Sequence, residues 1–269
     1  MSEGALAGCW AGLRDAGRAA LIPYITAGYP DWDATSAFLA GARASGADIV
    51  ELGVPWSDPV ADGPVIQAST HSALATGVTL RGVLDRLAAA SPDVPVVLFT
   101  YLNPVLAMGA ARFARAAREA GAAGMVVVDL PVGSDPETEA ALRAGGVPLV
   151  RLVAPTTPPA RLARIAAASE GFVYLVARLG VTGASRALAA DLGARVAAVR
   201  AATTLPVAVG FGISAPEQAG EVAALADGVV VGSGVVQRMT SGGAAAALSW
   251  LGELRAAMDR ARAARAAGA

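Results

Sequence analysis

Two carboxylates eleven positions apart, Glu51 and Asp62, frame the segment ELGVPWSDPVADGPVIQ at residues 51–67. Glu51 stands in the middle of an apolar run formed by Ile49-Val50 and Leu52-Gly53-Val54. A charge inside a buried strand is costly unless it is paired or has a task. Burial raises the pKa of such a carboxyl and suits it to proton transfer near neutral pH. Asp62 lies beyond a turn region rich in proline and glycine (Pro55, Pro59, Gly63, Pro64), where a carboxylate keeps its charge. A structural glutamate paired with a buried arginine would satisfy the same pattern, so these residues alone leave both readings open.

The remaining composition narrows the chemistry. The chain contains no lysine, which removes the Schiff-base route to aldol cleavage. Its single histidine, His71, excludes a multi-histidine metal site and reads as a solvated helix position. Its single cysteine, Cys9, forms no internal disulfide, and no metal-binding cysteine pattern occurs. With 21 cations against 22 anions, the net charge of −1 argues against a nucleic-acid surface. The start of the chain, with Glu3, shows neither a basic leader nor a long apolar stretch. No segment reaches the ~20 apolar residues of a membrane span, so a cytoplasmic location is expected.

Elements that alternate along the whole chain must position these groups. Eight continuous apolar, β-branched runs read as strands: Leu21–Thr26, Asp48–Gly53, Pro95–Tyr101, Gly124–Leu130, Pro148–Ala154, Phe172–Arg178, Pro206–Gly212 and Gly228–Gly232. Continuity rather than alternation marks parallel strands covered on both faces. Amphipathic segments between them read as helices at Trp32–Ser45, Ala110–Ala120, Pro136–Ala144, Pro158–Ala168, Leu188–Ala202 and Pro216–Ala224. The longer gap after the second strand holds two, at Val65–Ala75 and Leu80–Ala90. A further helix, Leu6–Ala19, precedes the first strand, and Ala244–Ala267 forms a long tail helix. Eight β-then-α units define an α/β fold, the (β/α)8 TIM barrel, as a single domain over residues 1–269. It carries an extra N-terminal helix and an additional helix after strand two. A doubly wound open sheet is disfavoured by the strand count and by the lack of G-x-G-x-x-G after the first strand.

In such a barrel the site forms at the C-terminal strand ends. That rule gathers Thr26 and Gly28, Glu51, Asp58 and Asp62, Tyr101 and Asn103, Asp129 and Pro131, Thr156, and Arg178, Gly180, Thr182 and Gly183. Glycine-rich turns follow the last two strands, Gly210-Phe211-Gly212-Ile213-Ser214 and Gly232-Ser233-Gly234, and each leads into a helix. Backbone N–H groups and the helix dipole there favour a phosphate, although tight turns use glycine for backbone reasons too. These residues describe a barrel enzyme for a small phosphorylated substrate and leave isomerase, lyase and aldolase open.

The chain resembles the tryptophan synthase α-subunit family nearly end to end. The likeness is carried by LIPYITAGYP (21–30), ELGVPWSDPVADGPVIQ, YLNP (101–104), VVDLP ending at Pro131, APTTP (154–158), LGVTG (179–183), GFGIS and VGSG (231–234). The resemblance implies cofactor-free retro-aldol cleavage of indole-3-glycerol phosphate to indole and glyceraldehyde 3-phosphate, within an α2β2 complex. It assigns Glu51 to protonating indole C3 and shuttling the glycerol hydroxyl proton, and Asp62 to holding the indole N–H. It places Tyr24, Ile66, Phe99, Tyr101 and Val126 around the indole, Tyr174 and Thr182 at orienting positions, and Gly183, Phe211, Gly212, Gly232 and Ser233 around the phosphate. Asp58 and Pro59 would face the β subunit. Three positions depart from the family pattern: Ala177 before Arg178 where serine is common, Trp56 where phenylalanine is usual, and Gln237 where lysine is common. The alternatives implied are a freestanding lyase that releases indole and a non-catalytic barrel that docks on a partner.

Overall fold

The computed structural model describes residues 4–176, 186–210 and 212–267. Eight parallel strands close into a barrel in sequence order: β1 (Ala20–Thr26), β2 (Val50–Gly53), β3 (Val96–Thr100), β4 (Gly124–Val127), β5 (Leu149–Val153), β6 (Val173–Val176), β7 (Val207–Gly210) and β8 (Gly228–Val231). Closure comes from β1 pairing with β8, with Leu21 opposite Val229. Every strand is almost wholly buried, as the continuous apolar runs require.

Side chains alternate between two cores, because successive residues of a strand point to opposite faces. Leu21, Val50, Leu52, Val96, Leu98, Met125 and Val229 pack outward under the helices. Ile22, Ile49, Val97, Val126, Val150, Tyr174, Ala208 and Val230 fill the interior. Two residues beyond Ile49, Glu51 shares its inward face. The lower mouth is plugged by α1 (Ala5–Asp15), whose Trp10 stacks at a tilt on Phe172, centroids 5.5 Å apart. Gly228 leaves room for that indole, since a Cβ there would come within 2.8 Å of it.

The covering helices are α2 (Trp32–Gly41), α3 (Pro64–Ala75), α4 (Leu80–Ala90), α5 (Leu102–Met108), α6 (Ala110–Glu119), α7 (Pro136–Arg143), α8 (Pro159–Ala168), α9 (Arg186–Ala202), α10 (Pro216–Ala223) and α11 (Ser233–Ala267). The two helices expected after the second strand are α3 and α4. Two features differ from the sequence expectation. Helix α5 occupies a segment where the sequence pattern marks no helix, and α11 begins eleven residues earlier than Ala244, with a break at Gly242 and Gly243 (φ 64°) that divides it into two helices. Short helices bounded by glycine or carrying an early proline have little local signature. Pro104 is tolerated in α5 because the first turn's N–H groups have no intrahelical acceptor.

At the bottom, Asp48 ties elements together. Its Oδ2 accepts from the Leu21 amide at 2.9 Å and from Arg255 Nη1 of α11 at 3.4 Å, and the same nitrogen donates to the Ala19 carbonyl at 2.9 Å. Asp48 and Arg255 are both largely buried, and Arg255 Nη2 also pairs with Asp259 one helical turn on, so removing Arg255 would leave the Asp48 charge without its ion-pair partner. No helix among the described residues is long and apolar enough to cross a membrane.

Candidate active site

Glu51 is 1 % exposed at the upper end of β2, in register with Tyr24 of β1 and Val97 of β3. Its Oε1 is buried with no hydrogen-bond partner among the described residues. Desolvation is the cause that pushes its pKa up to about 8, so the carboxyl is neutral at pH 7. No arginine pairs with it, which excludes the structural ion-pair reading among the described residues.

Asp62 sits in the turn between β2 and α3, its amide donating to the Pro59 carbonyl at 3.0 Å. Gln67 Nε2 donates to the Asp62 carbonyl at 2.8 Å and fixes the turn against the first helical turn. Burial pushes the Asp62 pKa up to about 6, and the Tyr101 hydroxyl beside it opposes that rise. Asp62 therefore remains ionised at pH 7, in the opposite state from Glu51. Both carboxyls act on the same two phenols. Tyr24 and Tyr174 are each held un-ionised, first by burial and then by the neighbouring Asp62 and Glu51 carboxyls, the latter once it ionises.

The aromatic walls follow from backbone spacing. Tyr24 meets Phe99 edge to face at 5.6 Å. The Tyr24 hydroxyl lies 3.3 Å from Thr26 Oγ1, which lies 2.7 Å from Ser69 Oγ, and Ser69 donates to the Ile66 carbonyl at 2.8 Å. Ser69 spends its one proton on Ile66, so Thr26 donates to Ser69 and Tyr24 donates to Thr26. The Tyr24 oxygen is left with acceptor capacity only. Tyr174 fits because residue 210 is glycine, where a Cβ would stand 2.5 Å from its hydroxyl. Val126 is fully buried below, within the interior cluster.

Gly232 and Ser233 begin the first segment of α11, where the Val235 and Val236 amides both return to the Gly232 carbonyl (2.9 and 3.1 Å). A Cβ on Gly232 would be 3.4 Å from Ile66 Cδ1 and 3.7 Å from Tyr24 Cβ, so this turn borders the aromatic pocket. Ser233 is exposed at the mouth. Gly212 takes φ 78°, a conformation that favours glycine. The next amides, Ser214 and Ala215, are occupied by the Gln218 side chain at 2.8 and 3.2 Å. The Ser214 and Ala215 amides before α10 (Pro216–Ala223) are therefore already satisfied within the turn. Phe211, Thr182, Gly183 and the Ala177-Arg178 departure lie outside the described residues.

On the loop after β2, Asp58 is exposed and Pro59 is buried. Their neighbour Val60 is 81 % exposed, and Leu106 of α5 is 47 % exposed. His71 is exposed on α3 with Nε2 3.3 Å from the Ser57 carbonyl, in keeping with the solvated reading. Cys9 is half-buried at the opposite end, and burial pushes its thiol up to about 11.

The geometry defines a (β/α)8 barrel whose upper mouth holds two carboxyls beside one aromatic pocket. The family model for the tryptophan synthase alpha chain matches residues 10–261. The tryptophan synthase alpha chain of Laribacter hongkongensis is 50% identical over 239 residues, covering 88% of this chain and 90% of that one. The Gloeobacter violaceus alpha chain is 48% identical over 243 residues, covering 89% and 88%. Among solved structures, tryptophan synthase from Mycobacterium tuberculosis superposes with a TM-score of 0.85 at 39% identity, covering 94% of this chain and 97% of that one. The alpha subunit from Legionella pneumophila gives 0.87 at 33%, covering 95% and 98%. The chain belongs to the tryptophan synthase alpha chain family.

Proposed function

We propose that this barrel cleaves indole-3-glycerol phosphate to indole and glyceraldehyde 3-phosphate, with Glu51 and Asp62 as its two acids. The observation that carries the reading is a fully buried carboxyl, Glu51, with no partner for its Oε1 among the described residues, beside a less buried loop carboxylate, Asp62. Burial pushes the first up to about 8 and the second to about 6, which sets them in opposite states between. Neutral Glu51 gives its proton to indole C3. The ring nitrogen becomes cationic, and ionised Asp62 accepts its N–H hydrogen bond and offsets the charge. Glu51, now a carboxylate, takes the proton of the hydroxyl on the carbon next to the ring. The O–H pair forms the aldehyde C=O, the C–C bond breaks, and its electrons return to the ring. No water and no oxidant is consumed, and Glu51 ends in the state in which it began.

Tyr24, Phe99, Tyr101, Val126 and Ile66 hold the indole. Tyr174 orients the substrate, Thr182 in the loop after β6 positions Asp62, and Gly183, Phe211, Gly212, Gly232 and Ser233 hold the phosphate largely through backbone N–H groups. Exposed Val60 beside Asp58 and Pro59 supports a β-subunit surface on the loop after β2, through which indole passes onward in an α2β2 assembly. A cytoplasmic setting fits this role.

The test is to mix the purified chain with indole-3-glycerol phosphate and assay for indole, with and without a β chain. Indole release that rises strongly with the β chain supports this reading. High release from the chain alone favours a freestanding lyase. No release in either case contradicts catalysis and favours a docking barrel.

A further inference from the structure

Helix α5 starts immediately after β3 with no cap of its own. Its N-cap residue is Tyr101, whose side chain makes no capping bond. The missing acceptor comes from the neighbouring βα loop: Asp129 Oδ1 accepts from the Leu102 amide at 2.6 Å. That loop is fastened from behind. Arg151, 3 % exposed, donates to the Leu130 carbonyl at 3.0 Å and to Glu139 at 2.5 Å, and Glu139 in turn accepts from the Gly133 amide at 2.6 Å. On the other side of the joint, the Tyr101 hydroxyl accepts from the Ala61 amide at 3.2 Å and stands against the Asp62 carboxylate. A continuous line of contacts thus runs from the buried Arg151–Glu139 pair to the turn that carries Asp62.

We propose that Asp129 is a positioning residue for cleavage: by gripping the Leu102 amide it fixes the backbone of Tyr101, and through the Tyr101 hydroxyl it fixes Asp62. This rests on the reading of Asp62 as the group that holds the indole N–H. Asp129 touches no reacting atom. Its carboxylate acts as a cap supplied across the loop boundary, aligned with the start of a helix, where an anion is favourable. Without it the Leu102 amide has no acceptor and Tyr101 is free to turn away. Among the described residues, the titratable groups that Asp62 acts on are Tyr24 of β1, Tyr174 of β6 and Tyr101 after β3, and Asp129 acts on Tyr101.

The experiment compares wild type, Asp129→Ala, Asp129→Asn, Leu102→Pro and Tyr101→Phe in the pH dependence of kcat/KM for indole release, with the β chain present. The Asp62 carboxyl is titrated in parallel by carbon NMR, a readout that needs no turnover. Asp129→Asn keeps an acceptor and is expected to stay within about threefold of wild type. Proline at residue 102 deletes the N–H without altering Asp129, and it is tolerated at a first helical position after an extended residue such as Tyr101. Leu102→Pro and Asp129→Ala are both expected to lower kcat roughly tenfold and to move the Asp62 midpoint up by about one pH unit, with the alkaline limb unmoved. Tyr101→Phe is expected to do the same, and the Asp129→Ala/Tyr101→Phe pair to lose no more than Tyr101→Phe alone. An unmoved Asp62 midpoint in Asp129→Ala and Leu102→Pro, or losses that multiply in the double variant, overturns the proposal. Absence of indole release from wild type would instead overturn the assignment of the reaction. Should Asp129→Ala fail to fold, Leu102→Pro against Asp129→Asn carries the same comparison.

Discussion

The hydroxyl of Tyr24 fills the space in which residue 53 would otherwise carry a side chain: a Cβ on Gly53 would stand 2.1 Å from the phenol oxygen and 2.4 Å from Cζ. The two residues lie on adjacent strands, β1 and β2, and Gly53 is two positions beyond Glu51 on the same inward face. Gly53→Ala must displace the ring, because neither strand can shift without breaking the barrel ladder. The Tyr24–Thr26–Ser69 hydroxyl chain breaks with it. Overpacking of this kind costs about 1–3 kcal/mol. Denaturant titration is expected to show that loss together with at least a tenfold fall in indole release. Wild-type stability and turnover in this variant would contradict the placement of Tyr24.

The opposed states of the two acids set the pH dependence of cleavage. Asp62 must be ionised and Glu51 neutral, so kcat/KM is expected to rise as pH increases through about 6 and to fall through about 8. A profile taken on the complex checks this. A flat profile across pH 5 to 9 would contradict the division of roles.

Stability should carry the mark of Glu51 independently of activity. In an unfolded chain the group titrates near 4.5, and in the folded chain near 8. Between these values the folded chain binds more protons, so stability declines as pH rises through the window. The slope approaches about 1.4 kcal/mol per pH unit where the carboxyl is ionised in the unfolded chain and still protonated in the folded one. Asp62 adds the same sign at lower pH, between 3.8 and about 6. Glu51→Gln removes the Glu51 contribution, so its unfolding midpoint is expected to gain on wild type from pH 5 up to about pH 8 and to level off above it. A constant difference across that range would show that Glu51 is not desolvated in the folded chain.

Charge at the start of α11 reports on the phosphate cradle. Ser233→Asp places an anion beside the Gly232 turn at the exposed mouth, where it repels a phosphate. KM is expected to rise on the order of tenfold or more, a cost of about 1.4 kcal/mol per decade, with a smaller change in kcat. Unchanged saturation would place the phosphate elsewhere.

Much of this architecture is legible in the sequence because each strand is buried on both faces and reads as an unbroken β-branched run. The barrel order and most helices follow from that, and so does the position of Glu51. Its protonation state is not, since the apolar flank fits an arginine-paired glutamate equally well and only the structure shows a carboxyl raised by burial with no paired cation among the described residues. Other features depend on contacts between distant residues and leave no local trace. The cap of α5 is Asp129, twenty-seven positions beyond the amide it binds. The polarity of the Tyr24 hydroxyl depends on Ser69, forty-three positions beyond Thr26. Pro59, which the family resemblance puts with Asp58 on a partner-facing loop, is buried while Asp58 and Val60 are exposed, a difference between neighbours that no local pattern announces. The glycine pair at Gly242-Gly243 signals the kink, but the short helix before it is hidden between two glycine runs.

The most direct test of the paired-acid account is an infrared difference spectrum between wild type and Glu51→Gln, recorded from pH 5 to pH 10 without substrate. A protonated-carboxyl carbonyl band assignable to Glu51 at pH 7, converting to carboxylate through about pH 8, is the expected result. A carboxylate band for Glu51 already complete at pH 6 would contradict it.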